Sequence, residues 1–337
     1  MTLKLAFVGC GEIAQSHLAG IENRARRVRI TAAVDTNADN AKAVADRTGA
    51  AVFPSLEAAL ADGDFDAVDL MLPHDLHESA ALAAFTAGKH VLLEKPMAPT
   101  LDACERILAA AGAAGTVFMV AENAQYMPPV VKAQQLIQEG AIGSITTARA
   151  SFAMTLDPRW YRGTKPWRYD KGRVGGGNVI DGGSHWIRPL RMWLGEIDQV
   201  VAVLGHPLKQ MEGESLAHSI FRFRSGTVAT FDVLVDDTVL APAPWFHITG
   251  SDGQIVVPGW DETTVKLFNK THREGQAFPT DGGYWQSFGY ELEDFAAAVL
   301  DGKKPAAGPE DSLGELRTAL AVYESARTGT WQSVWDD

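Results

Sequence analysis

The chain has 337 residues, enough for two domains that each bury a core of their own. A formal charge of -12 at pH 7 disfavours a nucleic-acid partner, since the one basic cluster, Arg24, Arg26 and Arg27, reads as a solvated helix end. The two cysteines, Cys10 and Cys104, lie far apart and support neither a disulfide framework nor a metal site, while the lack of a signal-like start or of about 20 consecutive apolar residues points to a cytoplasmic protein without a membrane partner.

In chain order, strand-like runs at 3–8, 29–34, 51–53, 67–72, 90–93 and 117–121 alternate with helical patterns at 13–22, 38–47, 76–87 and 101–113. That alternation predicts an α/β fold, a Rossmann-type doubly wound parallel sheet over residues 1–122. Beyond Gln125 the texture changes. A helix opening at Pro128-Pro129 precedes β-rich stretches at 145–155, 199–204, 219–223, 227–235, 245–251 and 264–268, typically joined by tight turns such as Ser225-Gly226 and Asp252-Gly253. Residues 123–337 are therefore expected to form an α+β domain with a mostly antiparallel open sheet, its tail helical from 288 to 328 with a break at 302–309.

Gly9-Cys10-Gly11-Glu12-Ile13-Ala14 has the G-x-G-x-x-A spacing directly after the first strand. The first glycine makes the turn, the second lets backbone approach a pyrophosphate, and Ala14 permits close packing of helix on strand. The second strand ends in Asp35, where a carboxylate accepts from the adenosine ribose hydroxyls and repels a 2′-phosphate, and Thr36-Asn37 supplies no compensating arginine. NAD is the expected cofactor, rather than NADP. Further along, the strand from residue 88 ends in Glu94-Lys95-Pro96. Lys95 thus stands at the edge of a parallel sheet where ligands bind, able to accept a proton or to hydrogen-bond a reacting oxygen, with Glu94 beside it and a cis peptide expected before Pro96. Asp181 and His185 are four apart in a stretch read as one helix running from 178 through 194, which puts carboxylate and imidazole on one face.

The Gly-rich turn, Leu72-Pro73-His74-Asp75-Leu76-His77, Glu94-Lys95-Pro96, residues 139–143, Trp167-Arg168, the run 175–185 and the segment 323–327 together resemble the Gfo/Idh/MocA family, the group of glucose–fructose oxidoreductase and inositol dehydrogenase. The resemblance covers nearly the whole chain. It implies an enzyme, an NAD-dependent dehydrogenase oxidising a secondary hydroxyl of a sugar, inositol or related cyclic polyol, with Lys95, Asp181 and His185 around that hydroxyl. His185 is then the first candidate for general base, with Asp181 positioning the substrate and Lys95 polarising the oxygen or relaying its proton. Cofactor contacts would come from Gly9, Gly11, Glu12, Ile13, Asp35, Pro73, His74, His77, Glu94, Lys95, Trp167 and Arg168, and further substrate contacts from Arg188 and Tyr161. His77 reads equally well as a packed helix-start residue. A homodimer or homotetramer formed through the C-terminal sheet is implied too.

Two positions depart from the family's pattern. Arg188 stands where an acidic residue commonly contacts polyol hydroxyls, and Gln125 where an arginine is often found. Arg188 suits either an anionic sugar derivative, through its planar fork, or an ion pair with the tail or a neighbouring subunit. The same fold also serves non-catalytic NAD-binding regulators, against which Lys95, Asp181 and His185 argue, and NAD-dependent glycosidases.

Overall fold

The computed structural model describes residues 1–161, 166–241, 243–259, 262–306 and 308–335. Its contacts divide the chain into two units, Met1–Glu122 with Phe288–Leu313, and Asn123–Ser287 with Gly314–Asp337.

In the first unit strands and helices alternate as β1 (Leu3–Val8), α1 (Glu12–Asn23), β2 (Val28–Val34), α2 (Ala38–Thr48), β3 (Ala51–Phe53), α3 (Leu56–Asp62), β4 (Ala67–Leu70), α4 (His77–Thr86), β5 (His90–Glu94), α5 (Leu101–Ala114) and β6 (Phe118–Ala121). The strands pair in parallel in the order β3-β2-β1-β4-β5-β6, so the winding reverses between β1 and β4. Every residue of β4 and β6 is buried, as parallel strands covered on both faces require. Local sequence starts the helices. Asn37, Ser55 and Thr100 each accept a backbone N–H of the first turn of α2, α3 and α5, satisfying a donor that the helix itself leaves unpaired.

The second unit holds α6 (Pro128–Gln138), whose opening prolines occupy positions where no N–H is needed, then β7 (Ile145–Met154) and three helices, α7 (Lys171–Val174), α8 (Asn178–Asp181) and α9 (Ser184–Leu194). Strands β8 (Ile197–Gly205), β9 (Leu216–Phe223), β10 (Val228–Val235), β11 (Phe246–Gly250), β12 (Gly253–Val257), β13 (Thr264–Asn269) and β14 (Gln276–Pro279) follow. After α10 (Tyr284–Asp301) and α11 (Pro309–Thr328), the chain closes with β15 (Gln332–Ser333). The nine strands run in the order β14-β13-β12-β11-β7-β10-β9-β8-β15, and only the β7 and β10 pair is parallel. Along β9 burial alternates strictly, with Ala217, Ser219, Phe221 and Phe223 inward and His218, Ile220 and Arg222 outward. One face of the sheet is therefore core, where Phe152 stacks on Trp186 of α9 at 4.3 Å, and the other is open.

Phe288–Leu313 is a correction to the sequence reading, which placed it in the second domain. From Phe288 on, α10 belongs with the first unit: Phe288 lies 5.2 Å from the His17 ring, Gly289 lies against Gly20, and Tyr290 accepts a hydrogen bond from Arg24 at 2.8 Å. Helical periodicity reports which face of a helix is apolar, not which sheet it covers.

Candidate active site

In the first unit the Gly-rich turn joins β1 to α1. Gly9 has φ +89°, and a Cβ there would collide with the Met71 carbonyl, so both the turn and the approach of β4 exclude any side chain. Gly11 caps α1 without a side-chain hydrogen bond, and a Cβ on it would meet nothing within 4 Å. Gly11 thus offers the first N–H groups of α1 no side-chain acceptor and puts no Cβ in their way, the arrangement in which a helix start can receive a pyrophosphate. Glu12 and Ile13 flank this opening half-buried, and Ala14 is fully buried.

Asp35, at the end of β2, accepts from the Cys10 amide at 2.8 Å and the Asn37 amide at 2.7 Å, which fixes its carboxylate beside the turn. Burial, reinforced by Asp35, pushes the Cys10 thiol up to about 12, so Cys10 is a neutral packing residue. These features fit NAD: the start of α1 would hold its pyrophosphate and Asp35 its ribose diol.

At the ends of β4 and β5 the remaining residues of this unit come together. Pro73 leads a single turn of 3-10 helix, His74–Leu76, in which His74 is buried with its ring 5.5 Å from that of His77. His77 is fully buried, and its two ring nitrogens face the Pro96 carbonyl at 2.9 Å and the Leu72 carbonyl at 2.8 Å. Burial, and then His74, lower it to about 4, so near neutrality the ring is uncharged and donates to one carbonyl at a time. His77, which the sequence left open between a cofactor contact and a packed helix-start residue, ties the loop after β4 to the loop after β5. Both ring nitrogens are spent inside the fold.

Glu94, the last residue of β5, is buried; its Oε1 lies 3.0 Å from His17 Nε2, and its Oε2 accepts the Lys95 backbone N–H at 3.1 Å. Glu94 thus bridges His17 and the Lys95 backbone. Lys95 is half-buried and followed by a cis peptide to Pro96. Sequence reasoning passed over His17 and its partner Asp69, because 52 residues separate them and no local pattern links them.

The second unit carries the other candidates. Asp181 and His185 do not share one helix, as their spacing suggested. The chain breaks at Gly182-Gly183 into α8 and α9, where a Cβ on Gly182 would strike the Phe152 ring and one on Gly183 the Val179 carbonyl. Both side chains are nonetheless buried. Asp181 Oδ2 accepts from Arg168 Nε at 2.9 Å, and the Arg168 guanidinium lies 4.4 Å over the Trp167 ring. His185 meets Tyr284 edge to face at 5.9 Å. Tyr161 is buried against Tyr169 and donates to Asn178 Oδ1 at 3.0 Å; burial, with Asp181, raises its hydroxyl above the ordinary tyrosine range.

Arg188 Nε donates to Gln125 Oε1 at 2.8 Å, and its Nη1 lies 3.5 Å from Glu315 of α11, a carboxylate that also pairs with Arg191. Of the two readings of Arg188, an ion pair with the tail is the arrangement the fold displays. The two departures from the family's pattern are thus each other's neighbours.

Among the described residues no group of His, Cys, Asp and Glu is arranged to hold a metal ion, and no helix is long and apolar enough to cross a membrane. Comparison with known proteins gives two family matches: residues 3–122 to the oxidoreductase family with NAD-binding Rossmann fold, and residues 130–256 to the GFO/IDH/MocA C-terminal domain. The chain is 28% identical over 328 residues to a 1,5-anhydro-D-fructose reductase of Ensifer adhaerens, covering 96% of each. It is also 28% identical over 318 residues to a levoglucosan dehydrogenase of Pseudarthrobacter phenanthrenivorans, covering 81% of each. A solved levoglucosan dehydrogenase in complex with NADH superposes with a TM-score of 0.88 over 100% of both chains at 24% identity, a likeness of fold.

Proposed function

Because this chain belongs to the Gfo/Idh/MocA family of oxidoreductases, we propose that it oxidises a secondary hydroxyl of a sugar, inositol or related cyclic polyol with NAD. The observation that carries the reading is that Lys95, directly after β5, shares the C-terminal edge of one parallel sheet with the Gly-rich turn at the start of α1 and with Asp35. When bound, NAD supplies the hydride acceptor, the nicotinamide C4. The substrate C–H bond gives up its hydride and the O–H bond its proton, leaving a carbonyl. The family resemblance gives His185 the role of general base for that proton and Lys95 that of polarising the oxygen or relaying its proton. Asp181, oriented by Arg168, receives the substrate hydroxyl.

Arg188, held by Gln125 and Glu315, supports a neutral sugar or polyol over an anionic derivative. Tyr161 is read as packing behind this site through Asn178. The open face of β8, β9 and β10, with Val203, Ile220 and Val228 exposed beside Arg222 and Asp232, supports association into a homodimer or homotetramer.

Incubation of the protein with NAD and a panel of inositols, aldoses, anhydrosugars and uronic acids, followed by NADH absorbance, tests the proposal. Net NADH formation on a neutral polyol is expected. Binding of NAD without turnover of any of them would replace the dehydrogenase with a regulator, and bond cleavage in a glycoside without net NADH would replace it with a glycosidase.

A further inference from the structure

Beneath the C-terminal edge of the first sheet lies a buried group of ionisable side chains that hydride transfer does not call for. His17 of α1, Asp69 of β4 and Glu291 of α10 have no exposed surface, and Glu94 of β5 and Glu122 after β6 have almost none. His17 Nδ1 lies 2.8 Å from Asp69 Oδ2 and its Nε2 3.0 Å from Glu94 Oε1. We propose that His17 is a positioning residue for Lys95: a buried imidazolium clamped between Asp69 and Glu94, which fixes the Glu94 carboxylate so that it holds the Lys95 backbone.

Donor chemistry leads to this state. A neutral imidazole has one N–H and an ionised carboxylate none, so with both carboxylates ionised the two contacts of hydrogen-bond length are satisfied when both ring nitrogens carry protons; burial raises the Asp69 carboxyl, and the charge and hydrogen bond of His17 oppose that rise. Charge accounting agrees. Glu291 has neither oxygen hydrogen-bonded, and burial, against the opposing pull of His17, drives its carboxyl well above the usual range, so it stands as a neutral acid. His17 is then the cation that Asp69 and Glu94 both contact. Burial alone would lower the His17 imidazole, but the carboxylates on both its nitrogens lift it well above the ordinary histidine range.

The link to Lys95 is covalent and short. Glu94 has one oxygen on His17 and the other on the Lys95 amide at 3.1 Å, while the Pro96 carbonyl on the far side of Lys95 faces His77. The lysine is thus carried on a piece of backbone tied down on both sides by buried rings, one charged and one neutral. Removing the charged tie frees the Glu94 carboxylate from its place, and with it the amide that sets where the Lys95 side chain begins.

The proposal rests on the reading of Lys95 as a catalytic residue, so its test has readouts that need no turnover. In the full chain with 15N-labelled histidine rings, the His17 signals, identified by their loss in His17→Gln, are expected to show both nitrogens protonated from pH 6 to 9. A ring with one unprotonated nitrogen in that range would overturn the proposal. The Lys95 backbone amide proton is expected downfield in the wild type and moved upfield in both His17→Gln and Glu94→Gln; an amide unmoved by His17→Gln would also overturn it. Should His17→Gln fail to fold, Asp69→Asn, which keeps the ring and its Glu94 contact, is expected to bring the imidazolium titration below pH 9, and a ring unaffected by it contradicts the clamp. With a substrate in hand, His17→Gln is expected to lower kcat by about 10- to 100-fold, the cost of a small misplacement, with KM for NAD changed less than about threefold. Normal kcat in a folded His17→Gln makes the cluster structural only. Absence of turnover in the wild type removes the proposed function and leaves the two nitrogen readouts to decide the clamp.

Discussion

Glu214 precedes β9 in the second unit and is buried; its Oε1 accepts the Val179 amide at 2.8 Å and the Tyr323 hydroxyl at 3.1 Å. That hydroxyl in turn accepts the amides of Gly177 at 3.1 Å and Ile180 at 3.2 Å, so two side chains remote in sequence hold the turn that presents Asp181. Burial raises the Glu214 carboxyl from 4.5 to about 7, outweighing the hydrogen bonds that lower it. Between these values the unfolded chain has released the proton that the folded protein keeps. Its contribution to stability is therefore complete below pH 4.5, falls as pH rises, and levels off above about pH 7, for a total of about 3 kcal/mol. Glu214→Gln mimics the protonated acid and removes the dependence. Urea unfolding of both proteins at pH 5 and pH 8 checks this: the variant should gain on the wild type by about 2 kcal/mol or somewhat more between the two, part of the total being already lost at pH 5. Parallel pH dependence in the two proteins would show that Glu214 is already ionised at pH 5 and that burial is not what governs it.

Other consequences are open to direct measurement. Asp35 should make kcat/KM with NAD exceed that with NADP by at least about tenfold, measured on one substrate with both cofactors, and equal use of the two contradicts the role given to its carboxylate. Arg188→Leu, which strips a buried charge from Gln125 and Glu315, should cost about 3 kcal/mol in denaturant unfolding while leaving KM for a neutral polyol within about threefold; a large rise in KM would return Arg188 to the substrate site. The open face of β8 to β10 predicts an oligomer by light scattering at micromolar concentration, and a monomer there removes the association.

Much of the first unit is written locally. β1 and β3 fall where their apolar runs placed them, and the Gly-rich turn is found at the start of α1, because the buried strand β1 needs a mostly apolar run and the turn that follows needs glycine, while β3 is a short and largely exposed edge strand. The alternating strands β9 and β10 of the second unit were legible through their period of two. Short elements escaped: α3 is seven residues long, and β12, β14 and β15 are too brief or too polar to announce themselves. The site was legible as residue types but not as contacts. Spacing put Asp181 and His185 on one helix, whereas the helix is broken at Gly182 and Gly183, whose missing side chains let the chain lie against Phe152 and Val179. Long-range pairings carry no sequence signal at all, since 77 residues separate His17 from Glu94 and 63 separate Gln125 from Arg188. Likewise the return of Phe288–Leu313 to the first unit depends on which surface its apolar face meets, and periodicity is silent on that.

Lys95 and His185 are proposed to act together in removing the substrate proton, and a double-mutant cycle on kcat, with the polyol identified by NADH formation, measures that coupling. Lys95→Ala and His185→Ala should each lower kcat by about 10²- to 10⁴-fold, with NAD affinity nearly unchanged for His185→Ala, and the double variant should fall far less than the product of the two losses. A near-normal kcat for His185→Ala, or losses that simply multiply, would contradict the account and leave the histidine as a packed residue of α9.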